Sequence, residues 1–538
     1  MSFSYQIGQG LGDTCTGAQV QVLGDFSFCF YPLIPQSPPK LFWRSIPFYI
    51  DHKFQPEGNN NMKQILQLLG CLGQDRTPLE KIHIASLDLL AKSGVRFYSD
   101  RAREIWHGAG AKVDGNVVKI PGHLIEAVLP KAPSSFTLYA RDGRHDLQID
   151  GRQTYYSQDG CAAHVLDFET GRRRQSTKAD IERMALISDY LEVIDVVTPT
   201  VSAQDVAAAG MAVQELAACF VNSGKHVITE SVVNARDARA QIELAAVIAG
   251  GHEALRQRPI FSNFVCTISP LTQDEGGIEA ALEFAAAGIP VGMYPMATTG
   301  VTSPITLAGA LAVVNAEVVS ALALLQLASP GAKVFYSGGP ATIDLRTGAY
   351  TATSPEALWL RMMVARMANF YRLPSIVGAG ATSAKMPGAQ AAWENSFSFL
   401  LPALAGANLL FGLGLLDGSN LLTYEEIILD AEIGAMIKRL LSEVTFSDED
   451  FALDLIQQLG PGGVYLDEAH TVAHMRRALS LPLLSDRDSY DEWYAQGQRS
   501  RVEVARDKVR TILLNHQPPP LPEAVQQAME EVLAAYSS

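Results

Sequence analysis

From residue 155 onward the chain repeats one pattern eight times: a short run apolar on both faces, then an amphipathic helix. The apolar runs cover residues 155–160, 195–202, 225–231, 260–269, 290–298, 333–339, 374–381 and 408–416. Helical periodicity fills the intervals at 178–191, 205–222, 235–249, 274–287, 306–328, 355–371, 389–404 and 423–441. Helix starts are marked locally. Thr177-x-x-Asp180, Thr272-x-x-Glu275 and Thr423-x-x-Glu426 resemble capping boxes, and Ser354-Pro355-Glu356 places proline in a first turn. Strands apolar on both faces belong in a parallel sheet covered on both sides. Eight strand–helix units match a closed (β/α)8 TIM barrel, which takes roughly 250 residues. An open doubly wound sheet is the rival, but it usually carries GxGxxG after its first strand. Here Cys161-Ala162-Ala163-His164 follows instead. The expected fold is therefore α/β: a TIM barrel with a small N-terminal helical unit and a helical C-terminal extension.

The partition follows from changes in pattern. Residues 1–61 are rich in Pro, Gly and aromatics, hold neither helical nor strand period, and are expected to be an irregular extension. Residues 62–154 read as a helical/β unit, with helices starting near Thr77 and spanning 99–108 and 121–129. A strand pair at 136–138 and 146–149 leads onward. The barrel occupies 155–442, and 443–538 is the helical tail that carries much of the charge.

Charge is scarce in the barrel. Only 18% of residues are charged, against roughly 25% in an average domain, while 48% are hydrophobic and the net charge is −15. That balance repels phosphate, so no nucleic-acid partner is expected. No ionised residue stands between Glu283 and Glu317, or between Glu394 and Asp417. Both stretches exceed the roughly 20 residues of a spanning helix. Prolines and glycines interrupt them, however, which suits helix–loop–strand alternation and no membrane partner. The first Lys or Arg is Lys40, so the basic start of a secretory signal is missing. Six scattered cysteines without CxxC indicate neither a disulfide framework nor a zinc ribbon. A reducing cytoplasm fits.

Active sites of such barrels lie at the carboxyl ends of the strands. Those ends offer Tyr155, Tyr156, Gln158 and Asp159, then Thr198, Thr229, Glu230, Asn263, Phe264 and Cys266. Tyr294, Met296 and Tyr336 follow, and two glycine-rich ends bring Gly378, Gly380, Gly412 and Gly414. Aromatics with few charges suit an organic cation held by ring faces, although strand aromatics also serve simply as core. Glycines would let a flat or bulky group approach the backbone, or merely tighten turns. Glu230 is the acid that most needs explaining, because a carboxylate there must be solvated or paired. Pairing with Arg346 or another arginine competes with a catalytic role. His470 and His474 stand at helical i, i+4 spacing, but without the Glu of HExxH no metal site is expected.

Several runs together carry a family resemblance: Lys131-Ala132-Pro133-Ser134, Val165-Leu166-Asp167-Phe168-Glu169-Thr170-Gly171, Thr302-Ser303-Pro304-Ile305-Thr306, Pro387-Gly388-Ala389-Gln390 and Ala469-His470-Thr471. From about Asp75 to the C-terminus the chain resembles the trimethylamine methyltransferase family, corrinoid-dependent methylamine and quaternary-amine methyltransferases. Resemblance implies an enzyme that moves a methyl group from an amine to the cobalt of a corrinoid. The corrinoid (cobalamin) is carried by a cognate corrinoid protein, with no intrinsic metal, and homo-oligomers are possible. Founding members insert pyrrolysine at the barrel mouth. This chain has standard residues only, and the segment 336–348 resembles the region around that site. Members without pyrrolysine are associated with quaternary amines such as betaines.

A quaternary nitrogen already carries a neutral leaving amine, so its demethylation needs no general acid. Positioning and water exclusion suffice. The expected substrate-binding residues are Tyr155, Glu230, Phe264, Tyr294, Tyr336 and Arg346, with Arg346 clamping a substrate carboxylate. The expected corrinoid-facing residues are Gly378, Gly380, Gly412, Gly414 and His470. Gly388 stands where an acid is common in the family, and residues 349–353 replace a proline-rich run. The alternatives are a silent betaine-binding homologue or a barrel enzyme using another methyl donor.

Overall fold

The computed structural model describes residues 75–536, apart from 161 and 231; the irregular segment read at 1–61 lies outside the described residues. Eight parallel strands close into a barrel. In chain order they are β1 (Tyr155–Gln158), β2 (Val196–Val197), β3 (His226–Thr229), β4 (Phe261–Cys266), β5 (Val291–Tyr294), β6 (Val334–Gly338), β7 (Ser375–Gly378) and β8 (Leu409–Leu413). Each pairs with its sequence neighbours, and β8 returns to β1 with Leu409 opposite Tyr155. The helices that follow are α1 (Lys178–Tyr190), α2 (Met211–Asn222), α3 (Ala235–Ala249), α4 (Glu275–Ala287), α5 (Leu307–Ala328), α6 (Pro355–Tyr371), α7 (Ala389–Leu404) and α8 (Tyr424–Leu440). All eight expected units are present.

Caps explain where helices begin. Thr177 and Asp180 form a reciprocal capping box at α1, and Thr423 accepts from the Glu426 amide at α8. At α4 the expected Thr272 is instead in a short strand, and Asp274 caps by accepting from the Gly277 amide. Helix α5 alone is long and apolar enough to cross a membrane among the described residues, and 83% of its apolar window is buried in the protein. Neither charge-free stretch is one helix, because β5 interrupts the first and β8 follows α7 in the second.

The N-terminal unit combines helices and short strands. Strand Val95–Phe97 pairs with Val117–Lys119 and, in parallel, with Thr272–Gln273 from the loop after β4. The antiparallel pair Phe136–Leu138 and Leu147–Ile149 caps the amino-terminal end of the barrel. Its Phe136, Leu138, Leu147 and Ile149 share one apolar cluster with Val196, Ile228, Phe335, Ile376 and Leu409, the inward-facing strand residues. The Phe136 and Phe335 rings meet edge to face at 5.0 Å. The barrel is thereby closed below and open above. In the C-terminal extension, Arg501–Asn515 packs on α8 and α1, and Glu523–Tyr536 packs on α3.

Candidate active site

A narrow, tightly packed cavity with about 20 Å³ of free space lies at the carboxyl ends of the strands. Its floor is the top layer of the barrel interior. Phe264 on β4 and Tyr294 on β5 lie with ring centroids 4.8 Å apart and planes inclined by 33°, and Phe411 meets Phe264 edge-on at 5.1 Å. Cys266 and Met296 continue the wall above them. Burial and the nearby Asp159 carboxylate push the Tyr294 phenol well above its ordinary range, so it remains a neutral hydroxyl.

Two glycines make room for Tyr294. A Cβ at Gly378 would sit 2.4 Å from its hydroxyl oxygen, and one at Gly339 would sit 2.6 Å away. The bulky group that Gly378 admits is thus a side chain of the protein itself. The same missing Cβ would lie 3.4 Å from Cζ of Arg361, which reaches the cavity from α6.

The charged groups divide across the cavity. Asp159 follows β1 directly and Glu230 follows β3 directly. Gly160 lets them converge, since a Cβ there would stand 2.2 Å from Oε1 of Glu230 and 2.4 Å from the Pro199 carbonyl oxygen. Arg361 is 2% exposed. Its Nε donates to the Pro340 carbonyl at 3.4 Å, while its buried Nη1 has no hydrogen-bond partner. It forms no salt bridge among the described residues.

An outer, more open cavity of about 290 Å³ adjoins the inner one through Tyr350. Its lining includes Asp344, Arg346, Lys385 and Asp417. Tyr350 belongs to the small hairpin of Thr342–Ile343 and Tyr350–Thr351, so this hairpin stands at the boundary between the two spaces.

Of the expected substrate-binding residues, Glu230, Phe264 and Tyr294 meet in the inner cavity. Tyr155 does not. It starts β1 at the closed end of the barrel, and its hydroxyl donates to the Gln148 carbonyl of the capping hairpin at 3.1 Å. Tyr336 faces outward because its neighbour Phe335 faces in and side chains alternate along a strand. Its hydroxyl donates to Asn315 on α5 at 2.8 Å. Arg346 lines the outer cavity, exposed and paired at 3.0 Å with Asp344.

Of the expected corrinoid-facing residues, Gly378 alone borders the inner cavity. Gly412 forms a bulge in β8 at φ +134°, where a Cβ would strike the Ala379 carbonyl oxygen at 1.9 Å. Gly380 meets that bulge from the other side, and Gly414 packs on Ile427. These three glycines serve strand packing, leaving no cradle there for a flat macrocycle. His470 sits on the extension helix Ala469–Ala478, its ring 4.3 Å from that of His474. It is not among the lining residues. No set of side chains at these positions fits the holding of a corrinoid by this chain.

Arg361, Tyr350 and Ser419 are the lining residues that strand-end reasoning misses. One signal for Arg361 was available: a lone cation inside the apolar helical run Ala357, Leu358, Leu360, Met362, Met363 and Val364.

A closed barrel with an aromatic, acid-edged cavity at its carboxyl mouth defines a TIM-barrel enzyme acting on a small molecule. Residues 52–536 match the family model described as trimethylamine methyltransferase (MTTB), taking in residues 52–61 of the segment read as an extension. The chain belongs to the trimethylamine methyltransferase family. It is similar to trimethylamine methyltransferase MttB of Desulfitobacterium hafniense, with 35% identity over 86% of this chain and 94% of that one. MttB of Methanosarcina barkeri is 34% identical over 85% and 93%. A glycine betaine methyltransferase of Desulfitobacterium hafniense is 30% identical over 88% and 98%.

Proposed function

We propose that the chain takes a methyl group from a quaternary amine of the betaine type, or from a methylamine, and passes it to the cobalt of a corrinoid on a separate protein. The observation that carries this reading is the inner cavity. Phe264 and Tyr294 line one space together with Asp159 and Glu230, and aromatics beside carboxylates are the groups that favour a small cation. Relatives named for trimethylamine and for glycine betaine support the substrate class.

The residues present suit that chemistry. Breaking the carbon–nitrogen bond of a quaternary ammonium releases a neutral amine, and the nitrogen keeps the electron pair. No proton has to be supplied. Tyr294, held as a neutral phenol, and the surrounding apolar wall exclude water and orient the methyl group. The reduced corrinoid supplies the nucleophile, and because it belongs to a partner protein, this chain needs to offer access rather than a binding cradle. The outer cavity beyond Tyr350 is the approach we assign to that partner.

The test is methyl transfer to free cob(I)alamin, with trimethylamine, tetramethylammonium and a panel of betaines as donors. Methylcobalamin formed with at least one of them is expected. Calorimetric binding without transfer would instead identify a silent amine-binding homologue, and transfer from uncharged donors alone would identify a different methyltransferase.

A further inference from the structure

The positions of the charged groups around the ring carry more than a preference for cations. In strand order Asp159 stands at the end of β1 and Glu230 at the end of β3, with β2 between them. Arg361 lies against Gly378 at the end of β7 and bonds the Pro340 carbonyl just beyond β6. In a closed ring of eight strands, the middle of the acidic arc is β2 and the strand opposite it is β6. The inner cavity is therefore bipolar, with acids on one side, a guanidinium facing them, and Phe264 and Tyr294 on the arc between.

Arg361 is unusual in what it does not do. A buried guanidinium normally spends its five donors on carboxylates or carbonyls, because an uncompensated buried charge is costly. Here Nε has one long bond and buried Nη1 has none, with the cavity as the space beside it. Such a group matches a planar anion that can accept two parallel N–H bonds. Arg346, the arginine on the exposed turn, is satisfied by Asp344 and stands in the outer space.

We infer that Arg361 forms a carboxylate subsite, so that the cavity selects a zwitterion with its ammonium on the Asp159–Glu230 side and its carboxylate on Arg361. This rests on the methyl-donor reading above and adds its specificity: a betaine is bound at both ends, whereas tetramethylammonium is bound at one. Arg361 thereby acts as a substrate-binding residue and not as an acid or base.

The experiment compares the full chain with Arg361→Gln and Arg361→Lys, using glycine betaine and tetramethylammonium as probes. Binding is followed by calorimetry, and methyl transfer to cob(I)alamin is followed in parallel. Loss of a charge-assisted bidentate contact should weaken glycine betaine binding by about 10- to 100-fold. Tetramethylammonium should change by less than about threefold, and Arg361→Lys should recover part of the betaine affinity because it keeps the charge but not the fork. Equal losses on both probes would overturn the subsite, as would betaine binding unaffected by either variant. If the wild-type chain binds glycine betaine but transfers no methyl group, the methyl-donor reading fails while the calorimetric comparison still decides the subsite. Should Arg361→Gln not fold, the Lys variant alone carries the comparison, and an undiminished preference for betaine there would count against bidentate recognition.

Discussion

Glu230 depends on what Gly160 lacks. Its carboxylate occupies the place a side chain at residue 160 would take, and a new Cβ would also press on the Pro199 backbone 2.4 Å away. Gly160→Ala should therefore displace Glu230 while leaving the strands paired. We expect methyl-transfer kcat/KM to fall by about tenfold or more, as a misplaced charged contact of roughly 1.4 kcal/mol implies. The melting temperature should drop only a few degrees. A fully active Gly160→Ala enzyme would show that the position of Glu230 is immaterial. At this scale the sequence was half legible. Phe264, Tyr294, Glu230 and Gly378 were recognisable as strand-end residues, and they do share the cavity. Tyr155 and Tyr336 look alike in the sequence but differ in phase and depth. A strand's period of two tells which residues share a face, not which face points inward. Arg361 escaped because it arrives from a helix after its strand rather than from the strand end.

Among the elements, several boundaries were readable from backbone chemistry. Ser354 accepting from the Ala357 amide with Pro355 in the first turn fixes the start of α6, and left-handed Gly250 and Gly288 end α3 and α4. What could not be read was the job of the hairpin formed by Phe136–Leu138 and Leu147–Ile149. Short alternating strands predict a pair but not its docking site, which depends on contacts with residues some 200 positions away, such as Phe335. Because this hairpin closes the barrel floor, Phe136→Ala should leave a cavity against Phe335 and cost about 3 kcal/mol of stability. Denaturant unfolding checks the value. A loss below about 1 kcal/mol would mean that the hairpin merely covers the barrel without bearing on its core.

For the molecule as a whole, the shortage of charge describes the barrel, and the pH response comes from the few titratable groups buried in it. His226 is enclosed at the start of β3, with its ring nitrogens against the Tyr139 carbonyl and the Ser262 hydroxyl. Burial lowers its pKa from 6.5 to about 4. The unfolded chain then binds a proton that the native chain refuses, so this contribution is complete above pH 6.5 and is lost as pH falls toward 4. Relative to His226→Gln, the wild-type chain should lose stability on acidification through that window, with a slope of at most about 1.4 kcal/mol per pH unit. Parallel stability profiles for the two proteins would contradict the burial argument. Glu317, raised by burial to about 7, and Asp430, raised by burial, act in the opposite direction, which is why the difference between variants, rather than the raw profile, isolates His226.

We propose that the inner cavity demethylates a small ammonium ion. The most direct measurement follows the label from glycine betaine carrying ¹³C on its N-methyl groups, incubated with the full chain and cob(I)alamin. Labelled methylcobalamin and dimethylglycine should form in equal amounts, with both formed more slowly, and by the same factor, in Gly160→Ala. Label retained in intact betaine at protein concentrations that bind it fully would contradict the claim.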